Sequence, residues 1–361
     1  MGLPSRLFWQ GRRVLVTGHT GFKGSWLTAW LLRLGARVTG FALPPATNPA
    51  AFTLLGLQGK IDSRFGDVRD HEAIADVLAR VQPEIVFHLA AQPLVVPGYR
   101  EPRETFETNV LGTVNLLEAA RRVDALAAIV VVTTDKGYAE RNDGEAYRED
   151  DRLGGRDPYA ASKACAELVA ACYRDAYLRE RGVALATVRA GNVIGGGDWS
   201  AHRLIPDLVS SLVRGEPLEL RNPGATRPWQ HVLDPLAAYL LLAERLVANA
   251  DLARAWNVGP DPDCAATVAE VVARFERAWD GAAEHREVTA HYHEAPQLIL
   301  DASAARRELG WSPRLDLDAA IHYTAGWYRA HAGGQPVEII TEQQIARYEA
   351  ALPLPALASA V

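Results

Sequence analysis

The segment VTTDKGY at 132–138 closes a β-branched run with a hydroxyl, a carboxylic acid and an amine side by side: Thr134, Asp135 and Lys136. An acid and a base at neighbouring positions can address two adjacent atoms of one substrate, one protonating a leaving group while the other removes a proton. The pair carries a tension. A charged Lys136 lowers the pKa of its neighbour, whereas a general acid needs it raised, and a base must be uncharged although free lysine titrates near about 10.4. Burial relieves both, because it disfavours each charged form. The competing reading is a surface ion pair with no chemical role.

A second set lies in YAASK, where Tyr159 and Lys163 are four apart and share one face of a helix. A free phenol titrates near about 10, and a cation one turn away favours the phenolate. Such a Tyr159 takes the proton of an alcohol while hydride leaves the carbon, and the lysine reaches a nicotinamide ribose. The hydride acceptor needs a cradle, and VTGHTGFKGSW supplies one. Gly18, Gly21 and Gly24 stand between a strand and a helix, where the backbone turns tightly and the helix N-terminus receives a pyrophosphate. His19 and Lys23 in this loop can also meet phosphate. Asp67, in GDVRD, follows the third strand and is placed to accept from an adenine amino group; Asp70 is the better helix cap. The end of the second strand, FALPP, has neither an acid for a ribose 2′-hydroxyl nor an arginine pair for a 2′-phosphate. NAD is the reading, with NADP left open by these residues.

These groups must be held by elements, and the pattern supplies them. Strands are expected at 12–18, 37–43, within 60–70, at 84–91, 127–134 and 183–193; helices at 22–36, 71–81, 108–123 and 159–182. Strand and helix alternate with connections too long for hairpins, and EIVFHLAA and AAIVVVTT are nearly continuous apolar runs. Both features predict an α/β fold, a doubly wound parallel sheet covered by helices on both faces. After about residue 195 the texture changes to frequent Pro and Gly with short strands and tryptophans, Trp199, Trp229, Trp256 and Trp311, among loops. A smaller C-terminal substrate-binding domain is expected from 191–231 and 261–361, with 1–190 and 232–260 forming the dinucleotide-binding part.

Composition sets outer limits. The 361 residues suffice for one large or two modest domains, and 48% hydrophobic with 23% charged residues is ordinary for a globular protein. A net charge of −6 argues against a nucleic-acid partner, which wants a basic face. No apolar run is long enough to span a membrane, and the N-terminus lacks the features of a signal peptide. Cys165, Cys172 and Cys264 are odd in number and without metal spacing, the pattern of reduced thiols in a cytoplasmic protein. His231 and His293 have no partners at metal-ligand spacing, so no metal is expected.

Together the glycine loop, Asp67, HLAAQ at 88–92, Asn109, Thr134 and Tyr159-x-x-x-Lys163 resemble the extended short-chain dehydrogenase/reductase family. The strings FWQGRRVLVTGHTGFKGSW, TTDKGY, RAGNVIGGGDW, RLIPD and RPWQHVLD narrow the resemblance to the nucleotide-sugar 4,6-dehydratases. The resemblance implies NAD as cofactor and a nucleotide sugar as substrate. It implies that Phe22, Lys23, Val68, Ala90, Ala91 and Asn109 join the three glycines, Asp67, Tyr159 and Lys163 around the cofactor. It places Gln92, Asn192, Arg203, Arg227 and Asn257 on the substrate, the arginines as pyrophosphate clamps. Such enzymes oxidise C4, eliminate water across C5 and C6, and return the hydride to C6. Sister enzymes carry Asp-Glu where this chain has Asp135-Lys136, so Asp135 reads as acid to the C6 oxygen and Lys136 as the C5 base, with Thr134 and Tyr159 at the C4 oxygen. A nucleotide-sugar 4-epimerase shares the glycine loop, Tyr159 and Lys163 but has no use for an acid–base pair. A non-catalytic NAD sensor predicts an eroded catalytic set, which this chain does not have. The family also implies a homodimer built on the helices at 108–123 and 159–182, whose apolar faces exceed what one sheet face needs.

Overall fold

The computed structural model describes residues 2–141, 143–261, 264–289, 292–293 and 298–351. At its centre is a seven-stranded sheet, every pairing parallel. Its order across the sheet is Ala255–Val258, Ala184–Ala190, Ala128–Val132, Ile85–His88, Arg13–Thr17, Arg37–Ala42 and Asp62–Phe65. Alternate residues of one strand go to opposite faces. Val14 and Val16 join one apolar cluster and Leu15 the other; Ile85 and Phe87 part from Val86, and Val130 from Ile129 and Val131 in the same way. Both faces are therefore dry, which is why these strands read as unbroken apolar runs.

The local signals place the helix ends. The helix His71–Val81 starts at Asp70, whose carboxylate accepts from the backbone N–H of Ala73, and stops at Gln82 in the left-handed region. The helix Pro158–Tyr173 starts on Asp157, capping Ala160 N–H, with Pro158 at the first position. The helix expected at 108–123 opens with a wide turn, Glu107–Leu111, before Gly112–Ala120.

The second half differs from its sequence reading. It is mainly helical, with helices at Leu204–Arg214, Leu233–Ala248, Val268–Trp279, Leu317–Ala332 and Val337–Ala350. Trp256 lies on a strand of the main sheet, and with Trp229 and Trp311 it is buried. Loop-like composition masked these elements, because Pro and Gly between them broke the period. One apolar cluster joins Val14 and Trp26 to Leu208, Val271 and Trp327, so the core runs unbroken across residue 191. The helix Val337–Ala350 packs back on Phe22–Arg33, where Glu349 accepts from Trp30 Nε1 at 2.8 Å and pairs with Arg33 at 3.0 Å. Short ribbons, Val193–Ile194 with Gln230–His231 and Thr226–Pro228 with Ala265–Thr267, carry the chain over the carboxyl ends of the strands. No helix among the described residues is long and apolar enough to cross a membrane.

Candidate active site

The strand order reverses between Arg13–Thr17 and Ile85–His88, and ligands of open α/β sheets bind in the crevice beyond such a point. Here the glycine turn sits. Gly18 has φ +74, and a Cβ on it would lie 2.7 Å from the backbone nitrogen of Ala90. A Cβ on Gly24 would collide with the Gly18 carbonyl. These two glycines are required by packing. Gly21 meets nothing closer than 3.4 Å; it precedes the helix Phe22–Arg33, whose N-terminus no side chain caps. A bare helix start beside a close backbone turn suits an anionic diphosphate, so the residues present fit a dinucleotide. Ala90 N–H is fixed by Thr17 Oγ1 at 3.2 Å, and Val68 packs under Gly112, leaving no room for a side chain there.

Past this turn opens a cavity of about 270 Å³, lined among others by Phe22, Lys23, Thr134, Asp135, Lys136 and Tyr159 on one side and by Asn192, Arg203 and Arg227 on the other. The tight turn Asp135–Gly137 follows the strand Ala128–Val132 and is capped by Thr134, whose Oγ1 accepts from Lys136 N–H at 3.3 Å and donates to Asp135 Oδ1 at 3.2 Å. Asp135 is buried, and among the described residues its Oδ2 has no hydrogen-bond partner. Burial raises its pKa above the usual carboxylate range, against the opposing pull of Lys136, Thr134 and Arg227. Gly191 makes the space: a Cβ there would press on Pro228 and sit 3.1 Å from Asp135 Oδ2. Lys136 is half-buried on the cavity wall, not out in solvent.

The tyrosine–lysine pair behaves differently from its sequence reading. Burial raises the Tyr159 pKa and outweighs the hydrogen bond to Thr134 and the Arg203 charge that lower it; Lys163 is not among the influences. The Lys163 ammonium donates to Val132 O at 3.0 Å, and burial, with the Lys23 charge, brings its pKa down to about 7. Lys23 is itself lowered to about 8, by burial and then by Arg203. Lys23, Lys136, Arg203 and Arg227 thus share one partly buried cleft, an arrangement suited to a polyanion.

Three residues expected at a ligand make hydrogen bonds within the protein in this structure. Asn109 is buried, accepting from Gln92 N–H at 2.8 Å and donating to Gln92 O and Ser162 Oγ, so it ties the 89–94 loop to the helix Pro158–Tyr173. The Gln92 amide bonds Leu94 and Thr105 and does not line the cavity. Asn257 lies under the 138–149 segment, where its side chain meets Tyr138, Tyr147 and Asp301. The physical reason is common: a buried amide must fill its hydrogen-bonding capacity, and here backbone and side chains do so. Asp67 has an internal partner too. Burial alone would raise its pKa, but two hydrogen bonds and the charge of Arg69 take it below the usual value. His19 is buried against Gly40 and bonds Ser63, its pKa lowered to about 4 by burial, so it lies behind the phosphate turn, not in it. His231 stacks edge-on with Trp26 and Tyr323, and His293 bonds Glu140 at 2.6 Å. Among the described residues no cluster of His, Cys, Asp and Glu is arranged to hold a metal ion.

The sequence reading missed Asp198, Arg221 and Asn222 on the cavity wall. Asp198 holds Arg203 at 2.7 Å, and its place in GGGDW just before an Arg-led helix was the available signal. Arg221 and Asn222 follow a three-residue strand and carry no local pattern.

A doubly wound sheet with a glycine turn at its switch point and Thr134, Tyr159 and Lys163 gathered beside it defines an extended short-chain dehydrogenase/reductase. The chain belongs to the GDP-mannose 4,6 dehydratase family, whose model matches residues 15–324. It is 45% identical over 351 residues to CDP-glucose 4,6-dehydratase of Salmonella typhimurium, covering 95% of this chain and 98% of that one. It is 28% identical to dTDP-glucose 4,6-dehydratase of Xanthomonas campestris over 87% of this chain and 92% of the relative. Among solved structures it resembles Thermus thermophilus UDP-glucose 4-epimerase in complex with NAD, with TM-score 0.78 and 27% identity over 88% and 99% of the two chains. The dTDP-glucose 4,6-dehydratase of Bacillus anthracis, also in complex with NAD, shares the fold at TM-score 0.74 and 23% identity over 91% and 100%.

Proposed function

We infer that this chain is an NAD-dependent nucleotide-sugar 4,6-dehydratase, a hydro-lyase that converts CDP-glucose to CDP-4-keto-6-deoxyglucose. The observation that carries the reading is the 45% identity, spread over 95% of the chain, to a protein of that activity. The acid–base turn inside the cavity supports it over an epimerase, which needs no such pair.

NAD, when bound, would supply the acceptor for the C4 hydride and its return to C6. The chain's residues handle the protons. Tyr159 and Thr134 grip the C4 oxygen, and Tyr159 takes its proton as the C4 ketone forms; burial disfavours the phenolate this needs, and the positive charge of a bound nicotinamide would favour it. The ketone acidifies the C5 hydrogen, which Lys136 collects. Asp135, whose pKa burial raises, gives its proton to the departing C6 oxygen, so that water leaves and a C5–C6 double bond remains. The Lys136 proton returns to C5 when C6 receives hydride. Lys163 and the glycine turn hold the cofactor with Phe22, Lys23 and Ala90, while Arg203, Arg227 and Asn192 face the substrate diphosphate. In this reading residues 1–190 and 232–260 carry the cofactor, and 191–231 and 261–361 wall the nucleotide sugar.

A homodimer is part of the proposal. Leu111 and Leu168 are large apolar side chains left 53 and 63% exposed on the two helical segments expected to pair. A cytoplasmic location is likewise proposed, on three cysteines that are all free.

The test is incubation of the protein and NAD with CDP-, dTDP-, GDP- and UDP-glucose. The alkaline absorbance of a 4-keto-6-deoxy product should appear with CDP-glucose first. Formation of a CDP-galactose isomer without that product would establish the epimerase reading instead.

A further inference from the structure

Beneath the acid–base turn lies a buried ion pair that the chemistry above does not use. Glu167, on the helix Pro158–Tyr173, and Arg189, on the strand Ala184–Ala190, are 3.0 Å apart with side chains only 5 and 4% exposed. The contact is two-pronged: Nε meets Oε1 and Nη2 meets Oε2 at 3.1 Å. Neither residue lines the cavity. A buried pair of this kind is weak evidence for stability, since apolar residues of similar volume often serve as well. What distinguishes this one is where its remaining bonds go.

They go to the two ends of the segment 133–138. At the entry, Thr133 donates its hydroxyl to Glu167 Oε1 at 2.5 Å, and its N–H goes to Val188 O at 2.8 Å. At the exit, Arg189 Nη1 donates to the Tyr138 hydroxyl at 2.6 Å, and that hydroxyl donates to Asn257 Oδ1 at 2.6 Å. The Tyr138 ring stacks on Tyr147 at 4.8 Å. One continuous chain of bonds, Thr133–Glu167–Arg189–Tyr138–Asn257, thus closes a loop around Thr134, Asp135 and Lys136. Between the anchors the turn makes few bonds of its own, and one oxygen of Asp135 makes none.

We propose that Glu167 and Arg189 are positioning residues that act through Thr133 and Tyr138 to set Asp135 and Lys136 against the C5–C6 bond. A short turn with both ends pinned to a single rigid fork has little freedom to shift either reacting group. Displacement by about 1 Å at a reacting group costs on the order of 100-fold in rate. Of the groups at C4, Thr134 lies inside the clamped turn, while Tyr159 and Lys163 stand on the helix Pro158–Tyr173 and not on the turn itself. The network therefore serves the elimination step, both of whose reacting groups it holds, more than oxidation at C4, where it holds one.

The inference rests on the dehydratase reading. Turnover of CDP-glucose by the unaltered protein tests that reading first and separately. Tyr138→Phe then removes one hydroxyl and keeps the ring stack. In a rapid-mixing single turnover with CDP-glucose, the decay of reduced nicotinamide should slow about 10- to 100-fold, and its appearance by no more than about fivefold, since only Thr134 of the groups at C4 lies in the turn. Thr133→Val, at the other anchor, should give the same pattern, and it carries the test if Tyr138→Phe does not fold. Equal slowing of appearance and decay, or no slowing of decay in either folded variant, would overturn the proposal and leave the pair as a fold staple.

Discussion

Two layers of the site, a few residues apart, treat buried carboxylates in opposite ways. In the floor, Glu167 receives hydrogen bonds from Thr133, Thr187 and both arms of Arg189, so no lone-pair direction is neglected. In the cavity wall, Asp135 is equally dry, yet one of its oxygens is unpartnered and its pKa is raised by burial. The floor is a fully satisfied network, which gives rigidity. The wall, among the described residues, leaves one oxygen unsatisfied, which costs stability and accompanies a pKa shifted toward the neutral acid. On the proposed reading, function sits where the hydrogen-bond accounting is incomplete, and it is supported from where the accounting closes.

That contrast can be broken. The largest effect belongs to the floor: Arg189→Met leaves Glu167 buried without its partner and should lower the unfolding free energy by roughly 3–5 kcal/mol in urea melts. Wall substitutions should do the reverse, sparing stability and removing activity. Lys136→Ala should slow loss of the C5 proton, read as solvent-deuterium exchange, by about 100- to 1000-fold, with oxidation at C4 little changed. If C4 oxidation falls equally while the melt is unchanged, Lys136 is not the C5 base.

Asp135→Asn should reduce dehydration by about 100-fold and raise thermal stability by about 1 kcal/mol, because an unsatisfied acid is replaced by a neutral amide. A loss of stability would mean that the wall, too, is a satisfied structural network. The smallest effect comes from a third buried carboxyl, Asp234, far from the catalytic turn in sequence and absent from the cavity lining. It accepts from Tyr348 OH and Arg314 N–H on one oxygen, and among the described residues the other has no partner within hydrogen-bond distance. Burial raises its pKa from 3.8 to about 7. Between these values the folded state binds more protons than the unfolded one, so its contribution to stability is fullest below about pH 4 and is lost as pH rises to about 7. Asp234→Asn should flatten that slope, with a gain of about 1 kcal/mol near pH 8 and unchanged kcat; a kcat that falls would tie Asp234 to the site.

Much of this was legible in the chain itself. Two-faced apolar runs such as AAIVVVTT announce a buried parallel strand, and Asp70 and Asp157 announce helix starts, because these are local consequences of side-chain periodicity and backbone capping. The glycine spacing announced a phosphate turn for the same reason: Gly18 needs a positive φ, and Gly24 needs the absence of a Cβ against its own loop. The late helices were less legible, since Pro and Gly interrupt the period that marks a helix.

What only the tertiary structure decided was which polar side chains are free to act. Asn109, Gln92 and Asn257 have the right type and neighbourhood for ligands, but each is filled by partners as distant in sequence as Ser162 or Tyr138. Tyr159 carries a raised pKa, not a lowered one, because burial by other elements exceeds the opposing pull of Thr134 and Arg203. Hydrogen-bond saturation and desolvation are sums over neighbours in space, so no window of sequence contains them. Residue types and their spacing determined the fold and the kind of chemistry; packing determined which of those residues are left to perform it.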